Sequence, residues 1–569
     1  MAGRSRAALL ALVFALVVGL AAASGDALAQ TIQGPQETRP ELPPYEAPSD
    51  QPPLALPDVE LPQAAERERL SSGLRIFVSG WRVVGSSVFS DAELATALAP
   101  WTGREIGSEE LLAARDAVTR LYVEKGYLSS GATLPDQDPE NGVIELRIVE
   151  GRLGEVSVTG SRWLRDGWVE ARARRGARQP LNVVELEQAL ELLQQAPQIR
   201  RIDARLAPGP RPDESVLDLR VEEAFPFQLG FRVANDIATS IGGERAEATL
   251  ADIDLTGNAD TLRATYSQGQ GLSEWDASYD IPFTKWDTRL ALAWNQSRSK
   301  VVEEPFSDLD VRSDRSSYSV TLSQPLFETP ASSLELGSTF ELQQSRLRIL
   351  GEDFGFTEGI DNGRTKETIV RAFVSFFERS REQVLALRVS GNIGLDAFDS
   401  TISDDSSIPD SRFTFLLAQA QYARRLPESW RSSQLIARLD LQLAQDPLLP
   451  LDQLSIGGMA TVRGYHVNQI VRDSGAIASL ELRVPILRDA NGRDRLQLAP
   501  FADWGKGWND RDTFGMRWLA SVGLGLRYQL ADRANFAVYW GSPLRHIDDQ
   551  NGGGLQNSGI SVEMSLIAF

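Results

Sequence analysis

Residues 225–569 repeat short segments in which apolar and polar side chains alternate. In one, Leu385, Leu387, Val389, Ile393 and Leu395 share a face, opposite Arg388, Ser390 and Asn392. In a second, Val522, Leu524, Leu526, Tyr528 and Leu530 oppose Ser521, Gly523, Gly525, Arg527 and Gln529. A third sets Leu435, Ala437, Leu439, Leu441 and Leu443 against Gln434, Arg438, Asp440 and Gln442. A period of two belongs to strands, whose side chains point alternately to two faces. Many such strands, each of about ten residues, wet on one face and apolar on the other, predict an antiparallel barrel with lipid outside and water inside. The divisions predict about sixteen strands, an even number as bacterial barrels have. Polar stretches at 302–314, 351–365 and 398–411 read as long outer loops. Pro282, Pro325, Pro485 and Pro543 are expected at strand ends, because proline has no ladder donor. In the final segment Ile560, Val562, Met564 and Leu566 form the outward phase, and Phe569 falls out of step with it.

Upstream the texture changes. Ile76 and Val78, then Trp81 and Val83, read as strands. Ser90 before Asp91, Ala92 and Glu93 reads as a helix cap. Leu111, Leu112, Ala117, Val118 and Leu121 recur at helical spacing, and Gly126 ends that helix. Strands follow around Thr133 and from Val143 to Val149. Residues 74–151 thus predict an α+β module. Residues 152–223 predict a second. Val156 and Val158 make a strand, Leu186, Leu190 and Leu193 line a helix over 183–195, and Ile202, Ala204 and Leu206 lead into another strand.

The remaining segment precedes both modules. Arg4 and Arg6 come before an apolar run over 7–23, and Ala27-Leu28-Ala29 supplies small residues for cleavage. Residues 1–29 therefore predict a secretory signal peptide. Residues 30–73 hold nine prolines between Pro35 and Pro62 and predict an extended linker, with a short helix over 64–70. No later run approaches the roughly 20 apolar residues of a spanning helix.

Composition removes several classes. The net charge of -20 over 569 residues disfavours nucleic acid as a partner. With no cysteine and two histidines far apart, thiolate, disulfide and zinc chemistry have no residues to use. There is no G-x-S-x-G, H-E-x-x-H or G-K-[ST] motif, so no catalytic residue and no metal ligand is assigned.

Two stretches carry more information. Residues 455–465 read S-I-G-G-M-A-T-V-R-G-Y: Gly457 and Gly458 suit a backbone bend, and Val462, Arg463, Gly464 and Tyr465 follow. Downstream stand Phe501, Asp503 and Gly505 in F-A-D-W-G. Together they resemble the V-R-G-Y and F-x-D-x-G motifs of the outer-membrane barrel superfamily that holds barrel assemblers and protein translocators. The resemblance implies a loop, 446–475, that folds back into the barrel so that Arg463 meets Asp503. A buried guanidinium needs a carboxylate, and stranding either is costly. Lys506 leaves a local alternative partner for the acid open. Tyr465 is expected to pack the loop tip, and Phe501 to fill space beside it.

In the first module Tyr122, Gly126 and Tyr127 stand in Y-V-E-K-G-Y, and Pro135 and Gln137 in L-P-D-Q; Gly142 follows, and Glu150 and Gly151 close the module. This succession resembles the first POTRA domain of the two-partner secretion translocators, the ShlB/FhaC family. Leu206, Pro208 and Gly209 resemble the L-x-PG turn of the second POTRA domain. The resemblance implies two POTRA domains, 74–151 and 152–223, before a transmembrane barrel over 224–569. It further implies an outer-membrane translocator of a Gram-negative bacterium, with the POTRA domains in the periplasm, no enzyme activity and no cofactor. The implied partners are an unfolded β-helical secreted protein exported without ATP, outer-membrane lipid and, during biogenesis, the barrel assembly machinery. Phe569 resembles the terminal signal which that machinery reads. Family members also plug the pore with a helix before the first POTRA domain; here only 64–70 is free enough of proline. Two other readings stand beside this one, a factor that inserts other barrels and a passive solute porin. The two modules with these signatures favour translocation.

Overall fold

The computed structural model describes residues 75–568 except 139, 305, 356–361, 510–516, 531–532 and 548–553. The expected signal peptide, linker, short helix at 64–70 and Phe569 lie outside the described residues.

The first module holds a three-stranded sheet in the order Gly80–Val84, Val143–Val149, Gly131–Thr133. The first pair is parallel and the second antiparallel. Ser90 and Glu93 cap each other's backbone at the start of the helix Asp91–Leu98, satisfying amides that have no partner within the helix. A longer helix, Ser108–Glu124, buries Ala114, Val118 and Tyr122 against Leu146 and Ile148. The second module repeats the plan. Arg152–Thr159 runs parallel to Glu214–Glu223, which pairs antiparallel with Ile199–Pro208. The helices Asp166–Ala173 and Val183–Gln194 cover that sheet, around Leu186, Leu190, Leu217 and Leu219.

Beyond Phe227 the chain closes a barrel of sixteen long antiparallel strands, with a two-residue piece, Glu352–Asp353, joined to one of them. The last strand, Ile560–Ile567, pairs with the first, Phe227–Ala234, so no edge is left open. Alternation sorts the side chains. Val522, Leu524 and Leu526 are exposed on the outer wall, whereas Ser390, Asn392, Asp440 and Gln442 are buried inside. Even turns between strands face the two modules, which places the long loops at the opposite, outer end.

Pro282 and Pro543 close their strands. Pro325 and Pro485, expected at ends, lie within Arg312–Glu328 and Ser474–Arg488. A register shift follows each, so the prolines sit where the ladder is already broken by a bulge and a missing donor costs little.

The second module is fastened beneath the barrel. Arg172 and Arg175 both reach Asp287 in a turn between barrel strands, Arg175 at 2.7 Å. Gln198 donates to the Ile253 carbonyl at 2.7 Å, and the Arg165 amide to the Gly257 carbonyl at 2.9 Å.

Candidate functional site: an inward loop and the joint between modules

The strand Gln434–Ala444 is followed, after the loop, by Ser474–Arg488, its neighbour in the wall. The residues between them turn into the lumen and form a small hairpin, Leu454–Ile456 against Ile470–Arg472. Gly457 and Gly458 carry φ of 122° and 92°, left-handed values that side chains resist. Thr461 holds the bend: the Gly457 amide donates to its Oγ1 at 2.8 Å, and that hydroxyl donates to the Gly457 carbonyl at 2.9 Å. Val462 and Tyr465 join Leu454, Ile456 and Ile470 in a dry cluster against Ile477 and Leu519 of the wall. The Tyr465 hydroxyl lies 2.9 Å from the Ala520 carbonyl.

This bend delivers Arg463 to the wall. Its Nε and Nη2 donate to the two oxygens of Asp503, at 2.8 and 2.9 Å, and its own amide donates to Asp503 at 3.1 Å. The fork-on-fork geometry uses the planar guanidinium fully. Nη1 bonds Glu481. Ser479 completes the contact, donating to Asp503 at 2.7 Å. The guanidinium lies 3.7 Å from the Phe501 ring centroid, so Phe501 covers the cation as well as filling space. Arg463 and Asp503 are 6% and 3% exposed, values that make their pairing obligatory. Lys506 sits three positions along the strand from Asp503 and therefore on its other face.

Glycines fit the loop to the wall. Any Cβ on Gly505 would fall 2.5 Å from Ile456. One on Gly464 would fall 2.7 Å from the Gly541 carbonyl, and Gly464 also has a φ of 90°.

Two features were not read from the sequence. Glu481, the second acid, follows Ser479 at the strand period, and the register sets it beside Phe501 as Ser479 is set beside Asp503. The period of Ser479, Glu481 and Arg483 is the signal that finds it. The loop base carries the reverse polarity: Asp452 accepts from the Arg371 guanidinium at 3.1 Å, and Arg371 also bonds Glu341 at 3.0 Å and Asn392 at 3.1 Å. Gln343 bridges Asp452 and Glu367. Nothing local marks this cluster, because Asp452 and Arg371 are 81 positions apart.

The signature residues of the first module gather at two places. Tyr122 is fully buried, its hydroxyl 2.8 Å from Ser86 and 3.1 Å from Glu150. Burial, with the Glu150 carboxylate beside it, pushes that phenol up to about 12. Glu150 also accepts from the Ser87 amide at 2.7 Å. The Gln137 side chain bonds both backbone groups of Glu145, at 2.6 and 2.8 Å, and so acts as a strand extension beyond Pro135. Gly142 ends the connection between the strands Gly131–Thr133 and Val143–Val149, and a Cβ there would fall 2.7 Å from the Phe77 carbonyl. Gly126 and Gly151 form the joint to the second module. The Val183 amide donates to the Gly126 carbonyl at 2.9 Å and the Leu181 amide to that of Gly151 at 2.7 Å. A Cβ on Gly126 would fall 2.8 Å from Asn182, the cap of the Val183–Gln194 helix. Tyr127 packs edge-on to Tyr122, with ring centroids 6.0 Å apart.

The chain is similar to known proteins. Residues 76–151 match the ShlB-type POTRA domain. The outer membrane transporter CdiB of Dickeya dadantii is 23% identical over 375 residues, covering 64% of this chain and 64% of that protein. The heme/hemopexin transporter protein HuxB of Haemophilus influenzae is 21% identical over 467 residues, covering 78% and 79%. Among solved structures, CdiB from Escherichia coli superposes with a TM-score of 0.65 at 19% identity, covering 90% of this chain and 94% of that one. BamA from Haemophilus ducreyi lacking POTRA domains 1–3 gives 0.53 at 16% identity, covering 86% and 99%. Residues 213–528, more than half the chain, match the haemolysin secretion/activation protein family ShlB/FhaC/HecB, and the chain belongs to that family of outer-membrane two-partner secretion transporters.

Proposed function

We propose that this protein exports one large partner protein across the outer membrane. The partner, of β-helical haemolysin or adhesin type, is held unfolded by the two periplasmic modules and passed through the barrel without ATP. The open edges of the two module sheets suit this role, because an extended chain adds to such an edge as a further strand. Residues 74–151 and 152–223 act as the receiving domains, residues 224–569 as the channel, and loop 446–475 as its gate.

The observation that carries the reading is the seat of Arg463. The loop enters the lumen, and its tip is tied to the wall by one guanidinium on two carboxylates. Export requires this loop to yield space and then to return, and a hydrogen-bonded ion pair can reform when it does. Asp503, Glu481 and Phe501 form the receptor; Gly457, Gly458 and Gly464 let the loop reach it; Val462 and Tyr465 dock the tip. Arg463→Ala and Asp503→Ala, each expressed with the secreted partner protein, are expected to secrete little of it while the barrel still assembles and resists heat in gel migration. Normal secretion by both variants overturns the gate assignment.

A further inference from the structure

The outer wall carries a basic surface where the strands leave the membrane. The strands Arg312–Glu328, Ser332–Ile349 and Arg364–Arg379 hold 17, 18 and 16 residues. A membrane strand needs about 9–11. The excess lies at the outer end, and its outward positions change character in steps. On the strand from Arg312, the outward residues Leu322, Val320 and Tyr318 are exposed and apolar or aromatic, and Ser316, Asp314 and Arg312 follow towards the tip. Trp294 is registered beside Tyr318, so an aromatic row marks the edge of the apolar band.

Above that row the register assembles cations. Lys300, Arg312 and Arg348 stand side by side in one row. Arg298, Asp314, Arg346 and Arg364 form the row beneath it, and Lys366 stands one row lower. Three neighbouring pairs therefore set like charges directly opposite each other, which destabilises a sheet unless an anion lies between them. Among the described residues the carboxylates are outnumbered. Asp310 serves Lys300 and Arg312, both at 3.0 Å. Asp314 serves Arg298 at 3.6 Å and Arg348. Asp353 serves Arg346 at 2.7 Å and Arg364 at 2.9 Å. Lys366 lies 3.7 Å from Asp399. Among the described residues seven cations meet four acids, in a chain whose net charge is -20. Arg348 keeps its buried Nε without an acceptor. Residues of these rows line a shallow depression of about 840 Å³.

We propose that this surface binds the phosphorylated headgroup of the outer-leaflet glycolipid. An amphiphile of that class matches both zones: acyl chains lie against Trp294, Tyr318 and Val320, and phosphates reach the rows above. Arginine presents paired donors to a phosphate, and clustered cations beside a membrane gain from every anionic headgroup. The site fixes the barrel's height and rotation at one side of the wall, away from the seam where the first and last strands meet.

The test uses the full chain in detergent and fluorescent bisphosphorylated lipid A. Arg312→Gln, Arg346→Gln, Arg348→Gln and Arg364→Gln combined should weaken binding by at least about ten-fold, as should removal of the lipid phosphates. Asp310→Asn with Asp314→Asn should tighten it, an opposite shift that loss of fold cannot mimic. Arg200→Gln with Arg201→Gln, in the periplasmic module, should change nothing. Four results overturn the proposal: equal binding by all variants, equal binding of dephosphorylated lipid A, full competition by millimolar inorganic phosphate, or a preference for polyglutamate over lipid A.

Discussion

The second periplasmic module and the barrel lumen are both interiors, and they are built oppositely. The module buries Leu181, Leu186, Leu190, Leu217 and Leu219 against one another. The lumen buries Glu274, Glu341, Glu367, Arg371, Asp440, Glu481 and Asp503. Two-faced elements build both, the module's strands and helices and the barrel's strands alike, and what matters is which face meets the medium. A module in water hides its apolar face; a barrel in lipid displays it. One interior therefore fails by cavities and the other by stranded charge.

That contrast can be broken most sharply at Arg371. Its removal would leave Asp452 and Glu341 in the lumen without their shared cation, a loss of about 3–5 kcal/mol from the seating of the loop base. Arg371→Ala is expected to raise single-channel conductance and open the loop near Asp452 to protease, with the barrel still folded. Unchanged conductance would mean that the Arg463 end holds the loop alone. The matching lesion in the module is Leu190→Ala. Its cavity should cost about 2–5 kcal/mol, seen as faster hydrogen exchange throughout residues 152–223 and no change in the barrel strands. Spread of that exchange into the barrel would show that the two interiors unfold together.

A third test lies at the border between them, in the turn after the strand Arg245–Asp252. Asp254 is buried there, and burial, with Asp260, Glu223 and Asp252 nearby, pushes its carboxyl up to about 6 although the Ala259 amide donates to it. A raised carboxyl favours the fold while protonated. Its contribution is complete below the unfolded value of about 4 and disappears as pH rises through about 6. Asp254→Asn should therefore stabilise this turn above pH 6, by on the order of 2 kcal/mol, and the advantage should vanish below about pH 4. Proteolysis of the turn across that range measures it. The smallest effect is expected at the exposed pair of Arg200 and Glu222, 3.1 Å apart. Arg200→Ala should shift the urea midpoint of the module by about 0–1 kcal/mol equivalent.

The legible parts of the fold are those whose cause is local. Alternation at Leu385–Leu395 or Val522–Leu530 depends only on neighbours two apart, and Ser90 with Glu93 caps a helix within four residues. The helix Asp166–Ala173 was not read, because Arg172, Arg174 and Arg175 mask its apolar face; Arg172 is buried all the same, paired with Asp287. Within the site, Arg463 and Asp503 were marked by motifs, whereas Glu481 and the Asp452–Arg371 cluster depend on how strands are registered. Gly126 read as a helix stop; its close approach to Asn182 depends on a partner more than fifty positions later. Pro325 and Pro485 read as ends because a bulge leaves no mark in composition.

Where Gly464 meets Gly541, backbone touches backbone: a Cβ on either would come within 2.7 Å of the other's main chain. The contact behaves as a key in a slot with no clearance on either part. Transplanting this loop into a foreign barrel will succeed only if the recipient offers a bare main chain at the same height, so the portable unit comprises the hairpin together with Gly541, 77 positions after Gly464 in the wall strand Ala534–Pro543.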